Sequence, residues 1–526
     1  METITESVKR QARDRPTATA LICDDILLTW GEVDIWMEQA AGWLAALQLP
    51  RGAPVLGWLP NCLEWYLMRL ACERSGLLWV PVPASQGGRE LASIIERVRP
   101  AVAVTAGDFR RRDFVAEADD ICDRLGLAPL RMTLPKQGLL RLDGPPAPES
   151  SASRLDEMAH ALSTSGSEGS PKLALYTLAA ACERGHAQAR LLRLTVDDII
   201  LVLSPGTGPA RAAWLAAPVA GSCVVGMPVF EAGAALKLIQ QEKVTVVCGT
   251  PSQLAMLATN LESTDTSSVR IWYTAGSVLP PTLAEEFEKT TRGIVVSTYG
   301  GADFGGWAAP DPDDPPAVRH YTVGKPRGGT EFRIVDSEGH DIPPGGVGEL
   351  IGRGPCCVSG YIGEQGRDRW RGGWFHTGDL ASLDTTGNVV IEGRLKEIIV
   401  RGGDKVNPAE VEALLRTHPE IAQVAVIGVP DPVLGERVCA CIVPSQRAIT
   451  IDLETVRQHL RSQGLAYYKT PERLVVLDSL PVVVDKIDRR QLATLTAQES
   501  LPGIVTPDDQ HPSHGQVFTT SARPGA

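Results

Sequence analysis

The stretch "ALKLIQQEKVTVVCGTP" (235–251) changes its periodicity halfway. Its first half spaces apolar residues as a helix does. Its second half is a short apolar run rich in valine, closed by Gly-Thr-Pro, as expected of a strand buried on both faces. The same rhythm occurs upstream. "EVDIWMEQAAGWLAALQL" (32–49) has helical spacing, "APVLGWLP" (53–60) reads as a buried strand, "CLEWYLMRLACERSG" (62–76) as a helix and "LLWVPVP" (77–83) as a strand. Repeated helix and strand units predict α/β subdomains built on parallel sheets, with ligands at the C-terminal ends of the strands.

The chain has 526 residues, more than one ordinary core accommodates, so more than one packed unit is expected. Its formal net charge is -12 and no lysine or arginine block stands out. This argues against nucleic acid and against a membrane surface as partners. The N-terminal residues carry scattered charges and no apolar segment of a secretory signal, so the expected compartment is the cytoplasm. The uncharged run 212–230 is long enough to span a bilayer, but Pro218, Gly221, Ser222, Gly226 and Pro228 break it into a buried helix and a buried strand. The 11 cysteines include no Cys-x-x-Cys, and alternation puts Cys439 and Cys441 on one strand face, as small buried residues.

From about Ala317 the texture turns to short strands with glycine turns, "TEFRIVDSEGHDIPPGGVGELIGRG" and "LASLDTTGNVVIEGR", which predict a small barrel-like β unit. After Arg394 helix and strand patterns return in "AEVEALLRTHP", "AQVAVIGVP", "RVCACIVP", "DLETVRQHLRSQ" and "RLVVLDSLP". The expected division is a large N-terminal domain over 1–393, a smaller, mobile α+β domain over 394–499, and a disordered tail over 500–526.

"STSGSEGSPK" (163–172) is dense in glycine and hydroxyl residues and ends on lysine. Such a loop can turn amides and hydroxyls toward phosphate oxygens. Its spacing is not that of a Walker A loop, since Pro171 precedes Lys172 and Leu173 follows. By itself it reads equally as a polar turn. Four further motifs follow in order: "STYGGAD" (297–303), "GGWFHTGDLA" (372–381), "EGRLKEIIVRGGDKVNPAEVE" (392–412) and "VVVDKIDRRQL" (482–492). Together these motifs resemble the adenylate-forming superfamily of acyl- and aryl-CoA synthetases, peptide-synthetase adenylation domains and luciferases. "DPVLGERV" and "GLAYYKTPERL" read most like the members that activate aromatic acids.

The resemblance implies an enzyme that joins a carboxylic acid to ATP, releases pyrophosphate and passes the acyl-adenylate to a thiol. It implies ATP and Mg²⁺ as partners of the first step and CoA as acceptor. A stand-alone ligase that loads a separate carrier protein is the alternative, and a weakly active nucleotide-binding member is a further one. A homodimer is compatible with the pattern. Thr164, Ser165, Gly166, Ser167, Gly169 and Lys172 match the loop that cradles the β- and γ-phosphates. Glu168 stands where a threonine is usual, and its side chain is expected to turn outward.

Tyr299 matches the ring on adenine, with Gly300 beside it, and Asp303 replaces the glutamate that helps hold Mg²⁺, one methylene shorter. Asp379 matches the carboxylate that binds the ribose hydroxyls, and Arg394 its partner. Lys396 falls at the hinge between domains, and Gly402 and Gly403 at the turn that reaches the thiol channel. Lys486 matches the lysine that bridges substrate carboxylate and phosphate, with Asp485 in place of the usual glycine. Lys486, Lys172 and Asp303 are thus the candidate catalytic residues.

The stretch expected to line the acid pocket is "LSPGTGPARAAWLAAPVAG" (203–221). It holds no Asp or Glu, so the ammonium of an α-amino acid would be buried without a counter-ion, at a cost of several kcal/mol. Thr207, Gly208, Trp214, Thr274, Gly276, Gly301 and Phe304 are the candidate lining, mostly small or apolar, which fits an uncharged aromatic or alicyclic acid.

Overall fold

Residues 232–249 form the expected unit. Helix Ala232–Glu242 opens at Glu231, whose carboxylate accepts from the amides of Gly233 and Ala234. Strand Val246–Gly249 then runs parallel to Ile199–Val202 on one side and Ile271–Ala275 on the other. Every residue of it is buried, which is why its sequence is a continuous apolar run. The helix packs Ala235, Leu236 and Ile239 into a cluster with Val225, Val247 and Trp272.

This computed structural model describes residues 1–164, 171–204, 208–302, 304–363, 367–445, 451–483, 486–497 and 504–505. Its architecture is mixed α/β, as expected. One sheet has nine strands, in the order Lys325–Arg327, Trp307–Ala309, Ile294–Gly300, Ile271–Ala275, Val246–Gly249, Ile199–Val202, Cys223–Gly226, Thr19–Cys23 and Ile26–Thr29. Its six central strands are parallel, with antiparallel strands at both edges. A seven-stranded sheet runs Gly360–Tyr361, Lys172–Thr177, Met158–Thr164, Leu78–Pro83, Pro54–Leu59, Val102–Thr105 and Leu130–Thr133. The glycine-turned strands make a five-stranded sheet ordered Glu331–Val335, Gly348–Arg353, Trp374–Leu383 and Trp370–Arg371, with Val389–Arg394 also on Trp374–Leu383.

The chain divides into two compact units. One takes Met1–Arg333, Ile351–Thr377 and Asp384–Val390, and the other Ile334–Leu350, Gly378–Leu383 and Ile391–Ala526. The second holds its own sheet, in which Ile421–Asp431 and Gly435–Pro444 pair over their length. Cys439 and Cys441 lie on one face of the latter strand, packed with Val475, Leu480 and Leu492, while Val438, Ala440 and Ile442 face a separate cluster. They are small core residues, as alternation predicted.

Ala212–Ala216 is a π-helical turn that continues into helix Ala217–Ala220, and strand Cys223–Gly226 follows. No helix among the described residues is long and apolar enough to cross a membrane. Ile504–Val505, in the segment expected to be disordered, pair as a short edge strand with Leu474 and Val475.

Candidate functional site

In the first unit, Met158–Thr164 and Lys172–Thr177 are antiparallel neighbours, with Thr164 opposite Lys172 and Ser163 opposite Leu173. The glycine- and serine-rich segment thus joins two paired strands. Its flanks are tied down: Gln86 Nε2 donates to Ser163 Oγ at 3.0 Å, and Arg97 Nη2 to the Pro171 carbonyl at 2.6 Å. Ser165, Gly166, Ser167, Glu168 and Gly169 lie outside the described residues, as does the side chain of Thr164.

Tyr299 and Gly300 end strand Ile294–Gly300 and pair with Ala308 and Trp307. A Cβ at Gly300 would lie 2.9 Å from the Gly306 carbonyl oxygen, so the strand end accepts no side chain there without shifting. The Tyr299 ring meets Phe332 edge to face at 6.1 Å. Gly301 opens a turn that the Gly305 amide closes onto the Gly301 carbonyl at 2.9 Å. Asp303, within that turn, lies outside the described residues.

Of the candidate pocket residues, Thr207 lies outside the description and Gly208 begins a short 3-10 turn. Thr274 is fully buried in strand Ile271–Ala275, and its hydroxyl has no hydrogen-bond partner among the described residues. Gly276 follows at φ +102 with open space where a Cβ would stand. Trp214 and Phe304 are both buried members of the main apolar cluster. Trp214 is T-shaped on His160 at 5.3 Å, with the Arg69 guanidinium over its ring at 5.5 Å, and Phe304 stacks on Phe375 at 5.1 Å.

The structure adds polar residues that sequence reasoning missed. Gln188 Nε2 donates to Tyr273 Oη at 2.9 Å, and Tyr273 shares a hydrogen bond with Thr298 Oγ1 at 3.1 Å. These lie under the C-terminal ends of two parallel strands, the usual ligand position in such sheets. Arg184 and Arg211 are buried near them. Arg211 stands in the stretch expected to line the pocket, and a basic residue in an otherwise apolar run was the signal available.

In the second unit, Arg394 Nε meets Asp379 Oδ1 at 2.9 Å, with the carboxylate mostly buried and the arginine half exposed. The pair expected to hold ribose is therefore brought together. Gly393 sits at φ +153 with Asn407 against it, and Asn407 Nδ2 donates to the Glu392 carbonyl at 2.5 Å, fixing the strand end that carries Arg394. Lys396 lies exposed in the 3-10 turn Leu395–Glu397. Gly402 and Gly403, at φ +57 and +95, make the turn between Ile399–Arg401 and Asp404–Val406, a backbone that side chains disfavour. Lys486 pairs with Val483 in a short antiparallel ladder, while its side chain and Asp485 lie outside the described residues. Arg489 anchors the following helix on Glu412 at 2.7 Å.

Residues 8–362 match the family described as AMP-binding enzyme, and residues 410–483 match the AMP-binding enzyme C-terminal domain. The chain is 30% identical over 512 residues to the indoleacetate–CoA ligase of Aromatoleum aromaticum, covering 94% of this chain and 99% of that one. It is also 30% identical over 471 residues to the medium-chain fatty-acid–CoA ligase of Escherichia coli, covering 86% and 83%. ATP-bound MatB from Rhodopseudomonas palustris has the same fold, with a TM-score of 0.82 at 25% identity over 94% of this chain and 99% of that one. The chain belongs to the AMP-binding enzymes of the adenylate-forming superfamily.

Proposed function

We propose that the protein is an ATP-dependent carboxylic acid:CoA ligase acting on an aromatic or alicyclic acid in the cytoplasm. The observation that carries this reading is coverage: 99% of a CoA ligase's length has a counterpart in this chain. In the first step an acid oxygen forms a bond to the α-phosphorus of ATP as the bond to pyrophosphate breaks. In the second, a CoA sulfur attacks the acyl carbon, and AMP leaves. Two anions approach each other in the first step, so cations and amide donors are needed where charge builds.

Thr164, Ser165, Gly166, Ser167, Gly169 and Lys172 would hold the β- and γ-phosphates, and Asp303 the Mg²⁺ of the Mg–ATP substrate. Tyr299 and Gly300 would meet adenine, and the Asp379–Arg394 pair the ribose. Thr207, Gly208, Trp214, Thr274, Gly276, Gly301 and Phe304 would surround the acid. Lys486 would bridge acid and phosphate. The working boundary of the small domain is placed at 393/394, with Lys396 as hinge and Gly402–Gly403 at the thiol channel.

The test is ATP–pyrophosphate exchange across a panel of ring acids, followed by thioester formation with CoA and, separately, with carrier proteins. Exchange with ring acids and a CoA thioester are expected. Lys486→Ala should slow exchange by at least about 10²-fold, the scale of one lost electrostatic contact to a transition state. Exchange at wild-type rate in that variant removes the lysine from its role, and a thioester formed only on a carrier protein moves the reading to a carrier-loading ligase.

A further inference from the structure

A hydrogen bond of Asn407 crosses the hinge expected at Lys396. Asn407 follows the strands Ile399–Arg401 and Asp404–Val406 and heads helix Pro408–Leu415. Its side-chain oxygen and nitrogen have separate partners. Oδ1 accepts from the Ala409 amide at 3.1 Å and so caps the helix. Nδ2 donates at 2.5 Å to the carbonyl of Glu392, which precedes Lys396 in the chain.

The cap alone does not call for asparagine, since Asp, Ser or Thr supplies an acceptor as well. The amide nitrogen is used for the Glu392 carbonyl, and the backbone there leaves room for it. A Cβ at Gly393 would lie 2.5 Å from Asn407 Oδ1 and 3.0 Å from Nδ2. Gly393 and Asn407 therefore fit each other only because one of them is glycine.

This bond ties together two groups of residues. On one side, Glu392 lies on strand Val389–Arg394, and its carboxylate accepts from Ser382 Oγ at 2.7 Å, on strand Trp374–Leu383. These two strands carry Arg394 and Asp379. On the other side, Glu412 of the capped helix accepts from Arg489 Nη2 at 2.7 Å, and Arg489 opens the helix that follows Lys486. The Val426 carbonyl accepts from Arg489 Nη1 at 2.6 Å, and the Val426 amide donates to Glu412 at 2.8 Å. The capped helix, this strand residue and the base of the Lys486 segment are thus one bonded piece. By their contacts residues 391–394 group with the second unit, although they precede Lys396.

We infer that Asn407 is a positioning residue for Lys486: its bond to the Glu392 carbonyl latches the body that carries Lys486 to the strands of the Asp379–Arg394 pair in one of the arrangements the reaction uses. The inference rests on the ligase reading with Lys396 as hinge. A swing about Lys396 leaves the Glu392 carbonyl in place and carries Asn407 away, and a donor beyond about 3.5 Å no longer bonds. The latch is closed in one arrangement and open in the other, so its loss shifts the balance between them.

The experiment uses the full chain and measures the two steps separately: pyrophosphate exchange with a ring acid, and thioester formation from supplied acyl-adenylate and CoA. Each rate scales with the population of its own arrangement, so their ratio reports the balance wherever it lies. Asn407→Asp keeps the size and the cap and sets an acceptor against the carbonyl, while Asn407→Ser keeps a cap and is too short to reach it. Both variants should move the ratio in the same direction by at least about threefold, the scale of one hydrogen bond. A residue that served only as a cap would slow both steps together and leave the ratio unchanged. A shift below about threefold in either variant, or shifts in opposite directions, overturns the inference and leaves the ligase reading standing. A wild type that performs neither step removes both.

Discussion

His160 is 2% exposed, stacked on Tyr176 at 4.8 Å and set edge-on to Trp214. Burial first, then the positive charges of Arg69 and Arg211, push its pKa well below the ordinary value. Its protonation is therefore coupled to folding. Below about pH 6.5 the unfolded chain binds a proton at this residue that the native chain refuses, so stability falls as pH falls, by at most about 1.4 kcal/mol per pH unit, down to the native pKa. His160→Phe removes the titrating group and keeps a ring against Tyr176. The expected outcome is a smaller loss of stability between pH 7 and pH 5.5 than in the wild type, read from urea midpoints. An unchanged difference contradicts the assignment. The legibility of single residues follows the same physics. Asp379 and Arg394 could be paired from the sequence because each stands in an ordered motif. Arg211 could not, because its meaning depends on which side chains from distant elements surround it.

Among the elements, helices and central strands were legible because their periodicity reports burial. Leu63–Ser75 was readable as a helix although every residue in it is buried, including Glu64, Arg69, Glu73 and Arg74. Three of those charges are paired and the fourth is hydrogen-bonded: Glu73 accepts from Arg69 and from the Thr5 amide, Arg74 donates to Glu38, and Glu64 accepts from the Leu140 amide. The π-helical turn at 212–216 was not legible, since a run of alanines carries no mark of helix type. The turn ending at Gly305 was visible only as part of a motif, yet its geometry makes a sharp demand. Gly305 has φ +79, and a Cβ there would lie 2.3 Å from the Cys356 carbonyl oxygen and 2.8 Å from the Tyr176 ring. Gly305→Ala combines a disfavoured backbone with a clash against main chain, and should lower stability by about 2–5 kcal/mol. Chemical denaturation measures that loss. A variant within about 0.5 kcal/mol of wild type would show that the turn can be rebuilt, as only surface changes normally can.

At the scale of the whole molecule, five motifs in fixed order made the family legible, while the expected boundary at 393/394 followed chain order. The second unit also takes Ile334–Leu350 and Gly378–Leu383 from what the sequence assigned to the large domain, because contacts follow sheet neighbours and not chain order. The proposed reaction makes conflicting demands on this division. Lys486 is needed at the α-phosphate during adenylation, whereas the acyl-adenylate must afterwards be open to a thiol reached by Gly402–Gly403. One fixed arrangement cannot satisfy both, so the hypothesis is that residues after Arg394 swing as a body about Lys396; hinges are a few residues that absorb a large backbone change. The exposed 3-10 turn Leu395–Glu397 offers such a place. Proline at 396 fixes φ and restricts Leu395, while no catalytic side chain is removed. In Lys396→Pro, pyrophosphate exchange should persist while thioester formation drops by at least about 10²-fold, if the locked form is the adenylating one. The opposite split, with exchange lost and thioester formation from supplied acyl-adenylate retained, would identify the other locked form. Equal impairment of both steps, or impairment of neither, would count against a swing about this residue.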